Sequence, residues 1–470
     1  MEKMRIIIFG MGVIYKRYIS ILKENCSVVA VIDNNNELNQ VLKNSDGFYV
    51  FNPAKIKDLE YDWVVITSTF LFDMRQQLED LKVSGDKIIS IERFISYLRR
   101  GQIEEVVADN NNIVNHKKLI ILTNSLKLNG GSLASIYAAY ALNGMKYDVT
   151  VGAPEIIPEI RKDLISRGIS IVTIPGIFYP GEREKKYIQK FDFAIVNVYI
   201  NLPILACIAG NVKCIWWIHE CYSLIKQFYS EYKYINSEFL NKIDIFAVSS
   251  VAKRNFLKCY PDLNIRILTC GLPDVYSKKI KCNDNSHNEV VFAVIGGIIP
   301  VKGQDIMIDA IRIFNSVTHV KTRFLFIGDI PDSSFSRKVQ LNAKSVCNIE
   351  FVGPLSRSQM ISKYADIDVV VSSSREECLP FVIVEGMMLE KICIVPDKAG
   401  VSDYIKNGND GFIYKTGDSM ELARCLNYVS ENYYKIQSIR YNARKTYLKV
   451  FSMRSFSNNL KGIIGDNFDS

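Results

Sequence analysis

The chain has 470 residues, of which 48% are hydrophobic, 23% charged and 11% aromatic, and its formal net charge is +8. At roughly 100–200 residues per domain this implies two to four domains, with three as the central expectation. The composition excludes a disordered chain, a collagen and a coiled-coil rod. The longest apolar stretches, 290–300 and 202–218, are short or interrupted, so no transmembrane helix is expected. The N-terminal run ends in Gly10-Met11-Gly12 and reads as a first strand, not a signal peptide, so a cytoplasmic protein is expected.

Residues 101–288 hold 22 basic against 17 acidic side chains, which is most of the charge excess. Such an excess suits an anionic partner, a membrane face or a phosphorylated substrate. No arginine-rich arm or basic run interleaved with aromatics favours nucleic acid. Eleven cysteines occur without a Cys-x-x-Cys pair. Cys207, Cys214 and Cys221 recur every seven residues without a histidine array, so all eleven are expected to be reduced thiols.

In chain order, apolar strand-like runs alternate with helix-length amphipathic stretches, the pattern of parallel α/β layers. A first block places strands at 5–9, 27–32, 63–67 and 87–91, and the polar stretch 101–116 reads as a linker. A second block opens with a strand at 118–123, Gly130-Gly131 and a helix at 132–143. It continues through strands at 148–152, 193–198, 213–218 and 243–249. After a polar segment at 278–288, a third block places strands at 290–295, 323–327, 349–352, 369–372 and 392–395, and a largely helical tail follows Gly417.

Gly10-x-Gly12 follows a strand and precedes a helix, and Asp33 ends the next strand. This is most of a dinucleotide-binding fingerprint, with glycines for phosphate approach and an acid for ribose hydroxyls. Tyr15 replaces the third glycine, and the block is half of a full dinucleotide fold. A nucleotide site at Gly10, Gly12 and Asp33 and a docking domain without ligand both stay open. The block resembles small Rossmann-like modules fused to bacterial sugar-modifying enzymes.

In the third block, Glu377 precedes a helix and Glu385 lies eight residues on, so both carboxylates could face strand ends where helix N–H groups attract phosphate. Here the chain resembles the retaining GT-B glycosyltransferases of family 4, over residues 118 to about 445. The resemblance rests on an ordered series: Gly130-Gly131, Ile218-His219-Glu220, 244–249, Lys302-Gly303, Phe351-Val-Gly353, Glu377/Glu385 and Gly408-Asn-Asp-Gly411.

The resemblance implies an α/β GT-B fold: two Rossmann-like domains facing across a cleft, plus the extra small N-terminal one. The expected divisions are a module at 1–100, a linker at 101–116, an acceptor domain at 117–288, a donor domain at 289–445 and a helical tail at 446–470, which could pack back on the acceptor domain. It further implies a hexosyltransferase-type enzyme (EC 2.4) using a UDP-, GDP- or ADP-sugar and needing no other cofactor. Lys302 and Gly303 would meet the pyrophosphate, helped by Gly297, Phe381, Val382, Gly130 and Gly131. Glu385 would hold the ribose and Glu377 the sugar hydroxyls. His219 would contact the sugar near the reaction centre, with Glu220 orienting it.

Two departures stand out. Gly297 replaces a frequent family arginine, leaving Lys302 as the main cation, and Pro380 replaces a glycine whose N–H can face the donor. Asp366-Ile-Asp368 nominally matches the metal motif of a different fold, but its place before a strand reads as turn and cap acids, so no metal is expected. The acceptor is expected to be a saccharide or lipid-linked molecule, with peripheral contact at the inner face of the cell membrane. Two other classes stay open, an NAD-binding oxidoreductase on the first block and a non-catalytic sugar-nucleotide sensor.

Overall fold

In a computed structural model, the structure describes residues 3–35, 42–109, 115–127, 130–233, 235, 238–276 and 289–469. The polar segment expected at 278–288 lies outside them. Three sheets carry the fold. The first runs in the order Leu42–Lys43, Tyr49–Phe51, Ser27–Ile32, Arg5–Phe9, Trp63–Ile66, Ile88–Ser90, parallel except at the Leu42–Lys43 edge. Its central strand is apolar from Ile6 to Phe9, where both faces are covered. Ile6 and Ile8 enter one core cluster, and Ile7 and Phe9 enter the other.

The second sheet includes, in spatial order, Asp244–Ala247, Lys213–Ile218, Phe193–Asn197, Asn115–Leu122, Tyr147–Ala153, Ser170–Thr173 and Glu104–Val106. Glu104–Val106 pairs antiparallel with Ser170–Thr173. The stretch expected as a linker at 101–116 therefore contains an edge strand, and the next strand starts at Asn115. The third sheet is all parallel, in the order Ile349–Gly353, Thr322–Ile327, Val290–Ile295, Val369–Val371, Ile392–Pro396, Phe412–Tyr414. In each sheet the strand order reverses beside the first parallel strand, which is where sheets of this class generally place a ligand, at the carboxyl ends of the strands.

The chain divides into two compact units. One is Met1–Ala139, Lys146–Ile245 and Phe256–Asn264; the other is Tyr140–Met145, Phe246–Asn255 and Ile265–Ser470. The block expected as a separate module at 1–100 keeps its own sheet but belongs to the same unit as most of the second sheet. The join is polar and buried. Glu231, fully buried, accepts from Ser90 N and Ser90 Oγ, both at 2.8 Å, and pairs with Arg93 at 3.4 Å. Ser96 Oγ accepts from Phe178 N at 2.9 Å, while Trp63 and Tyr97 meet Tyr179 ring to ring. Buried pairs of this kind tolerate little rearrangement, because separating them strands a charge.

In the second unit the tail forms the helix Met453–Asp469. Tyr447 Oη donates to Leu272 O at 2.9 Å, and a Cβ on Gly271 would lie 2.5 Å from Phe456 Cβ. Gly271 and Leu272, expected from the sequence in the acceptor domain, belong to the same compact unit as the tail. No described helix is long and apolar enough to cross a membrane. Ten cysteines among the described residues are free thiols.

Candidate active site

The third sheet places two loops side by side where its order reverses. One follows Val290–Ile295 and carries Gly296, Gly297, Lys302 and Gly303; the other follows Val369–Val371 and carries Ser372 to Pro380. Gly303 sits at φ +64°, and a Cβ there would fall 2.1 Å from Ser373 O, so only glycine lets the two backbones meet. Ser373 Oγ donates to Lys302 O at 2.9 Å, and Arg375 N donates to Val301 O at 2.8 Å. The Arg375 guanidinium grips Asp305 through two bonds of 2.9 and 2.7 Å and donates to Pro300 O at 2.7 Å. The loops are therefore zipped together.

This zip delivers Lys302 Nζ into direct contact with Glu377 Oε2, and Ser374 Oγ donates to the same oxygen at 3.3 Å. Glu377 is fixed from behind as well, since Gly400 N donates to its carbonyl at 2.9 Å. The expected cation and the expected sugar-binding acid thus share one spot. Gln304, buried beside them, donates to Gly297 O at 2.8 Å, while its Oε1 is buried without a partner. Gly297 is therefore held as a backbone acceptor in this loop.

The helix Phe381–Met388 starts beside Glu377. Pro380 caps it without a side-chain hydrogen bond, and Phe381 and Val382 lie half-buried at its open end. Glu385 is on the same helix but buried, and both its oxygens are engaged. Arg357 contacts Oε1 and Tyr364 Oη donates to Oε2 at 3.0 Å. Arg357 and Tyr364 have no signal in sequence, lying 28 and 21 residues from Glu385. Burial and the neighbouring carboxylate drive the Tyr364 phenol well above its ordinary range. A ribose reaching Glu385 would compete with the Arg357 contact or use the remaining lone pairs.

Asp368 and Asp366 are structural. Asp368 accepts from Val291 N at 2.9 Å and from Tyr433 Oη at 2.7 Å, and Asp366 pairs with Lys363 at 3.1 Å. Among the described residues no group of three or more His, Cys, Asp or Glu side chains could hold a metal.

In the other unit, three adjacent strands of the second sheet gather a second set of groups at their carboxyl ends. Gly130 and Gly131 open the helix Gly130–Gly144, and Asn197 Nδ2 donates to Gly131 O at 3.0 Å. His219 follows Lys213–Ile218, its ring against Trp217 at 4.3 Å between centroids. The residue is partly exposed, but Nε2 is buried without a partner, and desolvation lowers the imidazole pKa to about 3. The ring is therefore neutral at neutral pH, with one N–H donor and one acceptor.

Glu220 accepts from Tyr199 N at 2.5 Å and from His219 N at 2.9 Å. Burial raises its pKa to about 7, partly offset by those N–H groups. The Tyr199 contact pins Val198, a β-branched residue at φ +66°, in a strained turn. Val198 is a feature that no sequence pattern could reveal.

In the first sheet, Gly10 and Gly12 lie at the start of the helix Val13–Asn25, and Asp33 Oδ2 accepts from Met11 N at 2.8 Å. The three residues of the expected nucleotide site are thus brought together.

Residues 276–446 match the family model described as Glycosyl transferases group 1, and residues 2–89 match that described as C2185-like, N-terminal. The chain is 25% identical over 169 residues to the uncharacterized glycosyltransferase MJ1178 of Methanocaldococcus jannaschii, covering 36% of this chain and 45% of that protein. It is 25% identical over 309 residues to the capsular polysaccharide biosynthesis glycosyltransferase CapM of Staphylococcus aureus, covering 65% and 72%. The chain thus spans less than half the length of the first of these relatives. The crystal structure of Anabaena Alr3699/HepE in complex with UDP-glucose superposes with a TM-score of 0.62 at 17% identity, over 75% of this chain and all of that one. The fold is GT-B, with two Rossmann-like domains and an additional N-terminal Rossmann-like module, and residues 276–446 are similar to group 1 glycosyl transferases.

Proposed function

We propose that the protein is a retaining, metal-independent glycosyltransferase (EC 2.4) that moves a sugar from a nucleotide-sugar donor to a saccharide or lipid-linked acceptor. The observation that carries this reading is the Lys302–Glu377 contact on two zipped loops, at the strand reversal of a domain matching group 1 glycosyltransferases. A cation and a carboxylate meeting at a helix N-terminus suit a diphosphate and a sugar diol. The UDP-glucose in the Anabaena structure makes UDP-sugars the first donors to test, and the capsular role in the name of CapM supports cell-surface polysaccharide synthesis.

On this reading Lys302 and the amides beginning Phe381–Met388 neutralise the donor diphosphate, Glu377 accepts from sugar hydroxyls and Glu385 holds the ribose. The acceptor hydroxyl attacks C1 on the face the nucleotide leaves. The C1–O bond breaks, and the hydroxyl proton passes to the departing β-phosphate oxygen. The neutral His219 donates a hydrogen bond at the transferred sugar and takes no proton. The chain's contribution is positioning and charge stabilisation.

Turnover of a panel of UDP-, GDP- and ADP-sugars, followed by nucleotide release, tests the reading. Glu377→Ala should lower turnover by about 10²–10³-fold while the unfolding midpoint holds; unchanged turnover removes Glu377 from the site. The basic excess in 101–288 supports an acceptor presented at the inner face of the membrane. Anionic liposomes should sediment the protein at low salt and release it as salt rises; no retention at low salt ends that part of the proposal.

A further inference from the structure

We propose that the N-terminal module holds a second ligand site, separate from the donor site, for a diphosphate diester that carries a free ribose diol and no terminal phosphate. A cavity of about 640 Å³ opens where the first sheet reverses its order, between the loop after Arg5–Phe9 and the loop after Trp63–Ile66. Gly12, Asp33, Asn34, Thr67, Phe70 and Asp73 are among its lining residues.

The two glycines of its loop differ in what they answer to. Gly10 is demanded by the chain, with φ +103° and a Cβ that would lie 3.3 Å from Thr67 O. Gly12 is not. Its φ of −73° suits any residue, and a Cβ there would meet nothing within 4 Å. As an N-cap it offers no side-chain oxygen, where serine or aspartate would stabilise the helix more. A missing side chain with open space around it keeps the cavity wall clear at the helix N-terminus, where a diphosphate would approach.

Other features set the class of ligand. Asp33 accepts from Met11 N at 2.8 Å through Oδ2 and from Asn35 N at 2.9 Å through Oδ1, so it is held rigidly at the strand end. Each oxygen keeps a lone pair for a hydroxyl, which suits a ribose diol. Phe70 and Val13, 68% and 77% exposed, offer apolar surface at the rim for a base. Among the described residues no Lys or Arg lines the cavity, while Asp33 and Asp73 do. That charge pattern accepts a diphosphate held by amides but repels a ribose phosphate or a triphosphate. Tyr15, in the place of the third glycine, is no obstacle. It is buried in the core and bonded to Asp46 at 2.8 Å and Asn44 at 2.9 Å, and it does not line the cavity.

A dinucleotide and a nucleotide-sugar share this chemistry, and calorimetric titration separates them. The full chain carrying Lys302→Ala, which weakens the donor site, is titrated with NAD+ and with UDP-glucose. One of the two should bind, and NADP+ and ATP should bind at least about tenfold more weakly. Adding Gly12→Val should weaken binding at least about tenfold and leave the unfolding midpoint unchanged. Asp33→Asn, which keeps an acceptor for Met11 N, should narrow the gap between NAD+ and NADP+. Absence of binding by both probes, or binding indifferent to Gly12→Val, would each overturn the proposal, as would NADP+ or ATP binding as tightly as whichever probe binds.

Discussion

The first and third sheets both reverse their strand order at a glycine-bearing loop, Gly10-Met11-Gly12 in one and Gly296 to Gly303 in the other. From that shared start they diverge. In the third sheet the facing loops are bonded together, and a lysine and a carboxylate meet between them. In the first sheet Thr67 Oγ1 ties down the Gly10 carbonyl at 2.6 Å, but the crevice stays open and among the described residues carries no cation. Topology supplies the place for a ligand, and the side chains added at the loop decide its charge.

The sharpest way to break this comparison is to add one methyl group at each loop. Gly303→Ala forces a left-handed alanine against Ser373 O and should cost about 2–4 kcal/mol in stability, read from denaturant midpoints, together with the donor site. Gly12→Ala should change stability by less than about 1 kcal/mol, because the weaker cap is offset by a stiffer unfolded chain. Equal effects would mean that the two loops are built alike after all.

A smaller change tests the charge. Lys302→Ala should raise the donor KM about 10–100-fold, the worth of one charged hydrogen bond, with a smaller change in kcat. A drop in kcat alone would move Lys302 from binding the donor to the transition state.

Much of this organisation was legible in the sequence, for physical reasons. Residues 6–9 and Val290–Ile295 are packed on both faces and so read as unbroken apolar runs, and glycine pairs mark the loops after them. The strands Tyr49–Phe51, Ser170–Thr173 and Phe412–Tyr414 were not legible, being three or four residues long. Glu104–Val106 hides in polar sequence because an edge strand can be exposed. The site divides in the same way. Lys302, Glu377 and His219 stand in short local motifs just after strands, and a family resemblance carried by such motifs points to them. Arg357 and Arg375 act on partners 28 and 70 residues away, as Glu231 at the join of the first two sheets acts on one 141 residues away, and no local pattern encodes such pairings.

The second sheet adds a carboxylate that is neither paired with a cation, like Glu377, nor open to a crevice, like Asp33. Burial raises the Glu220 pKa to about 7 from an ordinary 4.5. Between those values the folded chain keeps a proton that the unfolded chain has shed. The stabilising contribution of this group is therefore full below about pH 4.5 and is lost as pH rises through 7. His219 has the opposite sign, since its pKa falls from 6.5 to about 3 and stability is lost as pH drops through that window. Glu220→Gln keeps an acceptor for Tyr199 N but cannot ionise. Its unfolding midpoint should gain on that of the parent chain between pH 5 and pH 8, and a constant difference would mean that Glu220 is ionised throughout and held by its N–H donors alone.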